Sequence, residues 1–164
     1  TGTITNIEAP AILTVQSGSF GGVIGDASGD PLALVKSGTG ALILSGSNAY
    51  RGGTTISGGT LETRSAGALG SGAVTLNAGS LAPVGELDIT SLTWTGGTVT
   101  STLGTVTSLV DISGNLTLTS NGEFVFAGGL GFAPNTTYAI LSAANLAGFG
   151  TADFTGNSLL GLAP

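Results

Sequence analysis

Three segments of the sequence share one seven-residue pattern: residues 55–61 (TISGGTL), 75–81 (TLNAGSL) and 93–99 (TWTGGTV). Each reads threonine, apolar, polar, small, glycine, serine or threonine, apolar. Residues 14–20 (TVQSGSF) follow the same pattern, and looser copies begin at residues 34 and 117. The six starting positions are separated by 20, 21, 20, 18 and 24 residues. The chain is therefore an internal repeat with a period of about 20 residues.

A unit of this size, with two short strands and a glycine corner, is too small to bury a core alone, but stacked units bury one between them. Apolar residues alternate with polar ones within the units, as strands with one buried face require. The inward-facing pairs that this alternation predicts are Leu42 and Leu44, Val74 and Leu76, Leu87 and Ile89, Leu116 and Leu118, and Phe124 and Phe126. The pattern predicts an all-β protein, a parallel β-solenoid of about six coils, with threonine ladders on its outer surface.

The composition is uniform, so we expect one solenoid domain over residues 1–164. Residues 14–129 are expected to form the coils, and 1–13 and 130–164 to form terminal segments or caps, because they fit the repeat poorly. The residues from Ala143 to Leu146 are predicted to form one helical turn. The β-rich residues 3–7 are candidates for a strand donated to a neighbouring molecule.

Charge and residue types exclude several functions. The net charge is −6, and Lys36, Arg51 and Arg64 are the three basic residues, too few to neutralise a run of phosphates, so nucleic acid and anionic membrane surfaces are not expected partners. No apolar run is long enough to span a membrane as a helix. The chain has neither histidine nor cysteine, which removes the commonest general base and the thiol nucleophile. We therefore expect no catalytic residues, no metal site and no cofactor.

Residues 37–61 (SGTGALILSGSNAYRGGTTISGGTL) closely resemble the autotransporter-associated β-strand repeat, also called the passenger-associated transport repeat. The family motif reads approximately G-x-G-x-L-x-L-S-G-x-N-x-Y-x-G-G-T-x-[IV]-x-x-G-x-L. The resemblance implies a right-handed parallel β-helix on a bacterial extracellular or cell-surface protein. It also implies that the repeat is structural and carries no catalytic residues. With one full copy present, we expect a passenger fragment, a processed product or a protein exported by another route.

Four residues are candidate binding residues. Tyr50 and Arg51 form a predicted loop tip of the kind favoured at binding hot spots, although Tyr50 also belongs to the family motif, which favours packing. Glu86 and Asp88 alternate with Leu87 and Ile89, so both should face solvent about 7 Å apart at their Cα atoms. That spacing is near the one used by inverting glycosidases, while the alternative is that two charges keep an apolar strand hydrated.

Two further features have a chemical and a structural interpretation. Asp26 and Asp30 flank a glycine-containing turn that suits either a weak site for a hard cation or a plain Asx turn before Pro31. Trp94 occupies the apolar slot of the pattern, which favours a core position over a sugar-stacking platform.

The leading functional hypothesis is a non-catalytic extracellular structural protein, a surface or matrix element that assembles head to tail into filaments. Its partner would be a second copy, joined by end-to-end stacking or by strand donation. The alternatives are an adhesin passenger that binds glycans or host surfaces, and a polysaccharide-active enzyme that uses Glu86 and Asp88.

Overall fold

The computed structural model describes residues 2–7, 9–27, 29–103, 110–119, 122–128 and 141–148. Every regular element in these ranges is a β-strand, as the alternating sequence pattern predicts. The strands are β1 (Thr3–Thr5), β2 (Ala11–Val15), β3 (Gly18–Phe20), β4 (Val23–Gly25), β5 (Leu32–Lys36), β6 (Ala41–Leu44), β7 (Thr54–Thr63), β8 (Val74–Pro83), β9 (Leu87–Ile89), β10 (Leu92–Trp94), β11 (Thr98–Leu103), β12 (Val110–Leu118), β13 (Glu123–Gly128) and β14 (Leu141–Ala147).

The strands stack in parallel, coil upon coil. One ladder follows the order β2, β5, β7, β8, β10, β12, β14. A second ladder contains β3, β6, the later halves of β7 and β8, and then β11 and β13. A third joins β1 to β4 at one end, and β9 to β12 and β14 at the other. The parallel pairing and the stacked coils confirm the predicted parallel β-solenoid.

The repeated segments lie in register along the first ladder. Their outward-facing first positions form one column: Thr14, Val35, Thr55, Thr75, Thr93 and Thr117. Five of these are the starting positions read from the sequence. The looser copy that the sequence pattern starts at Leu34 starts one residue later in the structure, at Val35, because a valine replaces the first threonine of that unit.

The core runs along the axis of the stack. The inward-facing residues before and after each position of this column are buried throughout the middle coils, as Leu34, Val74 and Leu76 illustrate. Of the predicted inward pairs, those at 42 and 44, 74 and 76, 87 and 89, and 116 and 118 are all buried. Phe124 is half-buried against this core.

Glycine turns the corner between the first two ladders. Gly59, Gly79 and Gly97 occupy the same position of the repeat, with φ of 64°, 79° and 82°. A Cβ on Gly79 would lie 2.4 Å from the carbonyl oxygen of Gly59 in the coil below. Both the positive φ and the close approach of successive coils therefore require glycine here.

Asparagine links coils on the third side of the solenoid. Asn48 Oδ1 accepts a hydrogen bond from the Ile24 backbone N–H at 2.8 Å, and Asn48 Nδ2 donates to the Ala68 carbonyl at 2.6 Å. The side chain is buried, so one residue satisfies backbone groups in the coils on both sides of it.

The segments outside residues 14–129 also contain strands. In the N-terminal segment β1 pairs with β4 and β2 with β5, so residues 3–5, expected to be available for donation, have one edge paired within the chain. In the C-terminal segment β14 pairs with β12. The predicted helical turn from Ala143 to Leu146 is wrong, because these residues belong to β14 and the ladder pairing overrides their helix propensity. The other residues of 130–164 lie outside the described ranges.

Candidate functional site

Tyr50 lies in the core and not at an exposed tip. Its side chain is fully buried, and its hydroxyl forms a 2.6 Å hydrogen bond with Thr54 Oγ1. Burial raises the pKa of Tyr50 well above its ordinary value, although the bond to Thr54 acts in the opposite direction. The expectation that Tyr50 is available to a ligand is corrected by this burial, and the packing interpretation describes its position.

Arg51 is on the surface, where it closes the turn that follows β4. Its Nε and its backbone N–H both donate to Asp26 Oδ2, at 2.7 and 3.1 Å, and its Nη2 donates to the Gly29 carbonyl at 2.6 Å. The Arg51 side chain is 54% exposed and that of Asp26 is 5% exposed. The pair therefore links two successive coils and leaves one side of the guanidinium open to solvent.

The Asp26 carboxylate is fully engaged by protein donors. Its Oδ1 accepts from the Leu32 backbone N–H at 2.6 Å, while Oδ2 faces Arg51. Burial alone would raise the pKa of Asp26, but the hydrogen bonds from Arg51 and Leu32 and the charge of Arg51 outweigh it, so the pKa lies below its usual value of 3.8. This arrangement stabilises the turn before Pro31. Within the described ranges no three potential metal-ligating side chains lie together.

Glu86 and Asp88 are exposed, and Leu87 and Ile89 between them are buried, as the alternation predicts. The structure adds a third carboxylate to this surface, because Asp88 pairs in register with Asp111. Like charges directly opposite on neighbouring strands repel each other, so the two aspartates are best accommodated on a face that is exposed to water. Sequence reasoning missed Asp111 because the two aspartates are 23 positions apart. Asp111 lies inside the interval between residues 93 and 117, which is the longest spacing of the repeat. A binding or catalytic role for Glu86 and Asp88 stays a prediction.

Trp94 is a core residue, as expected. It is fully buried and packs edge to face against Phe124, with ring centroids 5.1 Å apart. Its Nε1 donates to the Gly97 carbonyl at 3.2 Å. The indole therefore presents no face on which a sugar could stack.

Lys36 is a buried cation that the sequence reasoning treated only as one of three positive charges. It has no exposed surface, and its Nζ donates to the carbonyls of Ser37, Gly38 and Gly58 at 2.6, 3.3 and 2.9 Å. Loss of hydration lowers the pKa of Lys36. The sequence signal for the burial of Lys36 is its position two residues after Leu34, because strand alternation puts both residues on the inner face.

A cavity of about 160 Å³ lies at the N-terminal end of the stack. Its lining is mostly aliphatic and aromatic: Ile4, Leu13, Val15, Ser17, Gly18, Ser19, Phe20, Ile24, Leu34, Leu42 and Leu44. None of the four candidate binding residues belongs to this lining.

The described residues form no helix long and apolar enough to cross a membrane.

Comparisons with known proteins agree with the repeat. The model of the passenger-associated-transport-repeat family matches residues 34–62. The BmaC autotransporter adhesin of Brucella suis biovar 1 (strain 1330) is 38% identical over 99 residues, which cover 59% of this chain and 3% of that protein. The chain thus corresponds to a very small part of that relative's length. No solved structure matches the chain significantly.

The repeat match, the similarity to an autotransporter adhesin and the stacked parallel coils agree on one assignment. The chain is an extracellular or cell-surface β-solenoid that contains a match to the passenger-associated-transport-repeat family at residues 34–62 and is similar to a small part of an autotransporter adhesin.

Proposed function

We propose that this chain is a non-catalytic architectural segment, a stiff rod of stacked coils that extends from a bacterial surface and associates end to end. The observation that carries the proposal is the continuous core, in which each coil buries its apolar residues against the coils on both sides. In such a stack every coil is supported by its neighbours, so the rod resists bending. The rod therefore keeps its length along the axis, and this length is the property that serves its architectural role.

The register sets the length. Among the described residues, the first ladder contains seven strands. At ~4.8 Å for each interval between neighbouring strands, β2 and β14 lie ~29 Å apart. Residues 54–73 make one complete coil, because Thr54 pairs directly with Val74. A change in the number of coils should change the length of the rod and leave its cross-section unchanged.

The experiment is duplication of residues 54–73, once and twice, followed by small-angle X-ray scattering. The maximum dimension of the monomer should grow by ~4.8 Å for each added coil, with a constant cross-sectional radius. A matched insertion of the same residues in scrambled order controls for added mass. Growth in all dimensions with the native coil, or equal growth with the scrambled one, would argue against the rod.

Adhesion is the second candidate, favoured by the similarity of this chain to the Brucella adhesin. The exposed side of Arg51 is the candidate contact. Arg64 is a matched control, because it is similarly exposed and is also paired with a carboxylate, that of Glu62. Loss of binding to a glycan array in Arg51→Ala, with retention in Arg64→Ala, would support adhesion, and absence of binding by the unmodified protein would remove it.

The non-catalytic part of the proposal has its own test. The unmodified protein should release no new reducing ends from a panel of bacterial, plant and animal polysaccharides. Release that disappears in Glu86→Gln or Asp88→Asn would instead identify an enzyme that uses this carboxylate pair.

A further inference from the structure

The connection between β4 and β5 contains the peptide bond from Asp30 to Pro31. It is the one Asp–Pro bond in the sequence, because each of the other four prolines follows an alanine. The nitrogen of proline is a tertiary amide without an N–H, and it takes up a proton and leaves more readily than an ordinary peptide nitrogen. Of the peptide bonds in the chain, this one is therefore the most open to attack by an aspartyl side chain.

The carboxyl group of Asp30 is available for such an attack. Asp30 is half-buried, and Gly29 and Pro31 on either side of it are exposed. Among the described residues, no group forms a hydrogen bond or an ion pair with the Asp30 side chain. The charged groups next to this connection, Asp26 and Arg51, are paired with each other. The Asp30 carboxyl group can therefore turn onto the carbonyl carbon of its own residue, and water has access to the product.

The carbonyl oxygen of Asp30 is held by a fixed donor from the preceding coil. Asn6 Nδ2 donates a hydrogen bond to this oxygen at 2.8 Å. The Asn6 amide cannot turn away, because Nδ2 also donates to the Ala9 carbonyl at 2.8 Å and Oδ1 accepts from the Ala27 backbone N–H at 3.1 Å. Asn6 is 8% exposed, so little water competes for the donor.

The backbone on both sides of the bond is also held in place. Arg51 Nη2 donates to the Gly29 carbonyl at 2.6 Å. The Ala11 backbone N–H donates to the Pro31 carbonyl at 3.1 Å. The Asp30 carbonyl group and its donor therefore keep one relative position, while the Asp30 side chain is the part that can move.

We propose that the bond between Asp30 and Pro31 is a self-processing site, at which the Asp30 carboxyl group cleaves its own peptide bond and Asn6 stabilises the charge on the carbonyl oxygen. A carboxyl oxygen of Asp30 bonds to the carbonyl carbon of the same residue. The bond from that carbon to the Pro31 nitrogen breaks, and the carboxyl proton passes to this nitrogen. The products are a five-membered cyclic anhydride at Asp30 and a free amine at Pro31. Water then opens the anhydride and leaves Asp30 as a C-terminal residue.

The two contributions to the rate have different origins. The nucleophile belongs to the residue that it attacks, so its effective concentration is high. The negative charge on the carbonyl oxygen grows as the tetrahedral intermediate forms, so the fixed Asn6 donor stabilises the intermediate more than the starting peptide. Removal of one donor from an oxyanion hole slows an enzyme by ~10²–10³. Because the Asn6 hydrogen bond already exists in the uncleaved protein, we expect a smaller effect here, about tenfold.

Cleavage at this bond would leave the solenoid assembled. Strand β2 of the N-terminal fragment pairs with β5 of the C-terminal fragment, and β3 pairs with β6. Two ladders therefore cross the cut, and the first coil stays on the stack until these ladders open. The inference is independent of the architectural role proposed above, since it concerns one covalent bond and not the shape of the rod.

Incubation of the folded protein in a mildly acidic buffer tests the proposal, because the reacting carboxyl group carries a proton. Mass spectrometry follows two fragments, one that ends at Asp30 and one that begins at Pro31. They should form about tenfold faster in the folded protein than in the same chain unfolded in urea, with folding checked by circular dichroism. The Ala82–Pro83 bond should stay intact in both. Equal or slower cleavage in the folded protein, or equal cleavage at Ala82–Pro83, would overturn the proposal.

Three variants separate the two contributions. Asp30→Glu keeps the charge but would need a six-membered anhydride, so cleavage at this bond should fall at least tenfold. Asn6→Ala should slow the folded protein to the rate of the unfolded chain and leave the rate in urea unchanged. Asn48→Ala is the matched control, because it removes another buried asparagine that links coils and should keep the fast rate. Undiminished cleavage in Asp30→Glu, or equal rates in Asn6→Ala and Asn48→Ala, would contradict the assigned roles.

Discussion

Truncation of Leu76 to alanine tests the division into inner and outer faces most sharply. Leu76 is fully buried and lies between Ile56 and Trp94 in the same column. Loss of a buried leucine side chain costs about 2–5 kcal/mol, and the upper part of that range applies where neighbours do not collapse into the cavity. Here both neighbours are held by backbone ladders, so we expect Leu76→Ala to cost about 3–5 kcal/mol.

Thr75→Ala is the matched control, because Thr75 is the preceding residue of the same strand and faces outward. Its loss should cost less than about 1 kcal/mol, the range of strand propensities. Guanidinium unfolding followed by the fluorescence of Trp94, the one tryptophan of the chain, measures both variants, since its indole adjoins Leu76. Equal costs at the two positions, or a cost below about 1 kcal/mol for Leu76→Ala, would refute the assignment of the faces.

Three further predictions concern buried polar groups. Tyr50→Phe leaves the buried Thr54 hydroxyl without its partner and should lower the free energy of unfolding by about 1–3 kcal/mol in chemical unfolding. The double variant Tyr50→Phe/Thr54→Val should recover part of this loss. No recovery would contradict the hydrogen bond. The pKa of Lys36 is lowered from 10.5, so the unfolded chain binds more protons between the two pKa values. The free energy of unfolding of the wild type should therefore rise, relative to Lys36→Met, as the pH increases from neutral toward 10.5, and a constant difference between the two proteins would count against a buried ammonium. The pKa of Asp26 is lowered from 3.8. The contribution of the Asp26 carboxylate to the free energy of unfolding is therefore present above the unfolded-state pKa and is lost as the pH falls through the folded-state pKa. The wild type should lose more stability than Asp26→Asn on acidification, and equal losses would show that the contact with Arg51 is too weak to matter.

The sequence predicted the stacking because several local signals agreed. Side-chain alternation fixes which residues face inward, and the recurring glycine marks a corner that no other residue fits. Thr55, Thr75 and Thr93 consequently lie in one column, as their spacing indicates. Where Val35 replaces the first threonine, the same reasoning placed the unit one residue too early, because Leu34 and Val35 are both apolar.

The positions of the polar side chains were harder to predict. Tyr50 and Arg51 are adjacent, yet one is buried and the other exposed, and the buried hydroxyl is satisfied by Thr54 four residues later. The alternation of the strand indicated that Lys36 faces inward, but its hydrogen-bond partners are backbone carbonyls, which no sequence pattern identifies. The approach of Asp111 to Asp88 depends on the length of the coil between them, which the repeat leaves variable.

The central claim is that successive coils lie in register along one axis. Pulsed electron–electron double resonance between spin labels on the outer column measures the spacing of the coils directly. From a label at Thr14, the Cα distances to Thr93, Thr117 and Ala147 should be ~19, ~24 and ~29 Å, increasing by one strand spacing each time. Distances that fail to increase in this order, as in a closed antiparallel barrel or a sandwich, would contradict the solenoid.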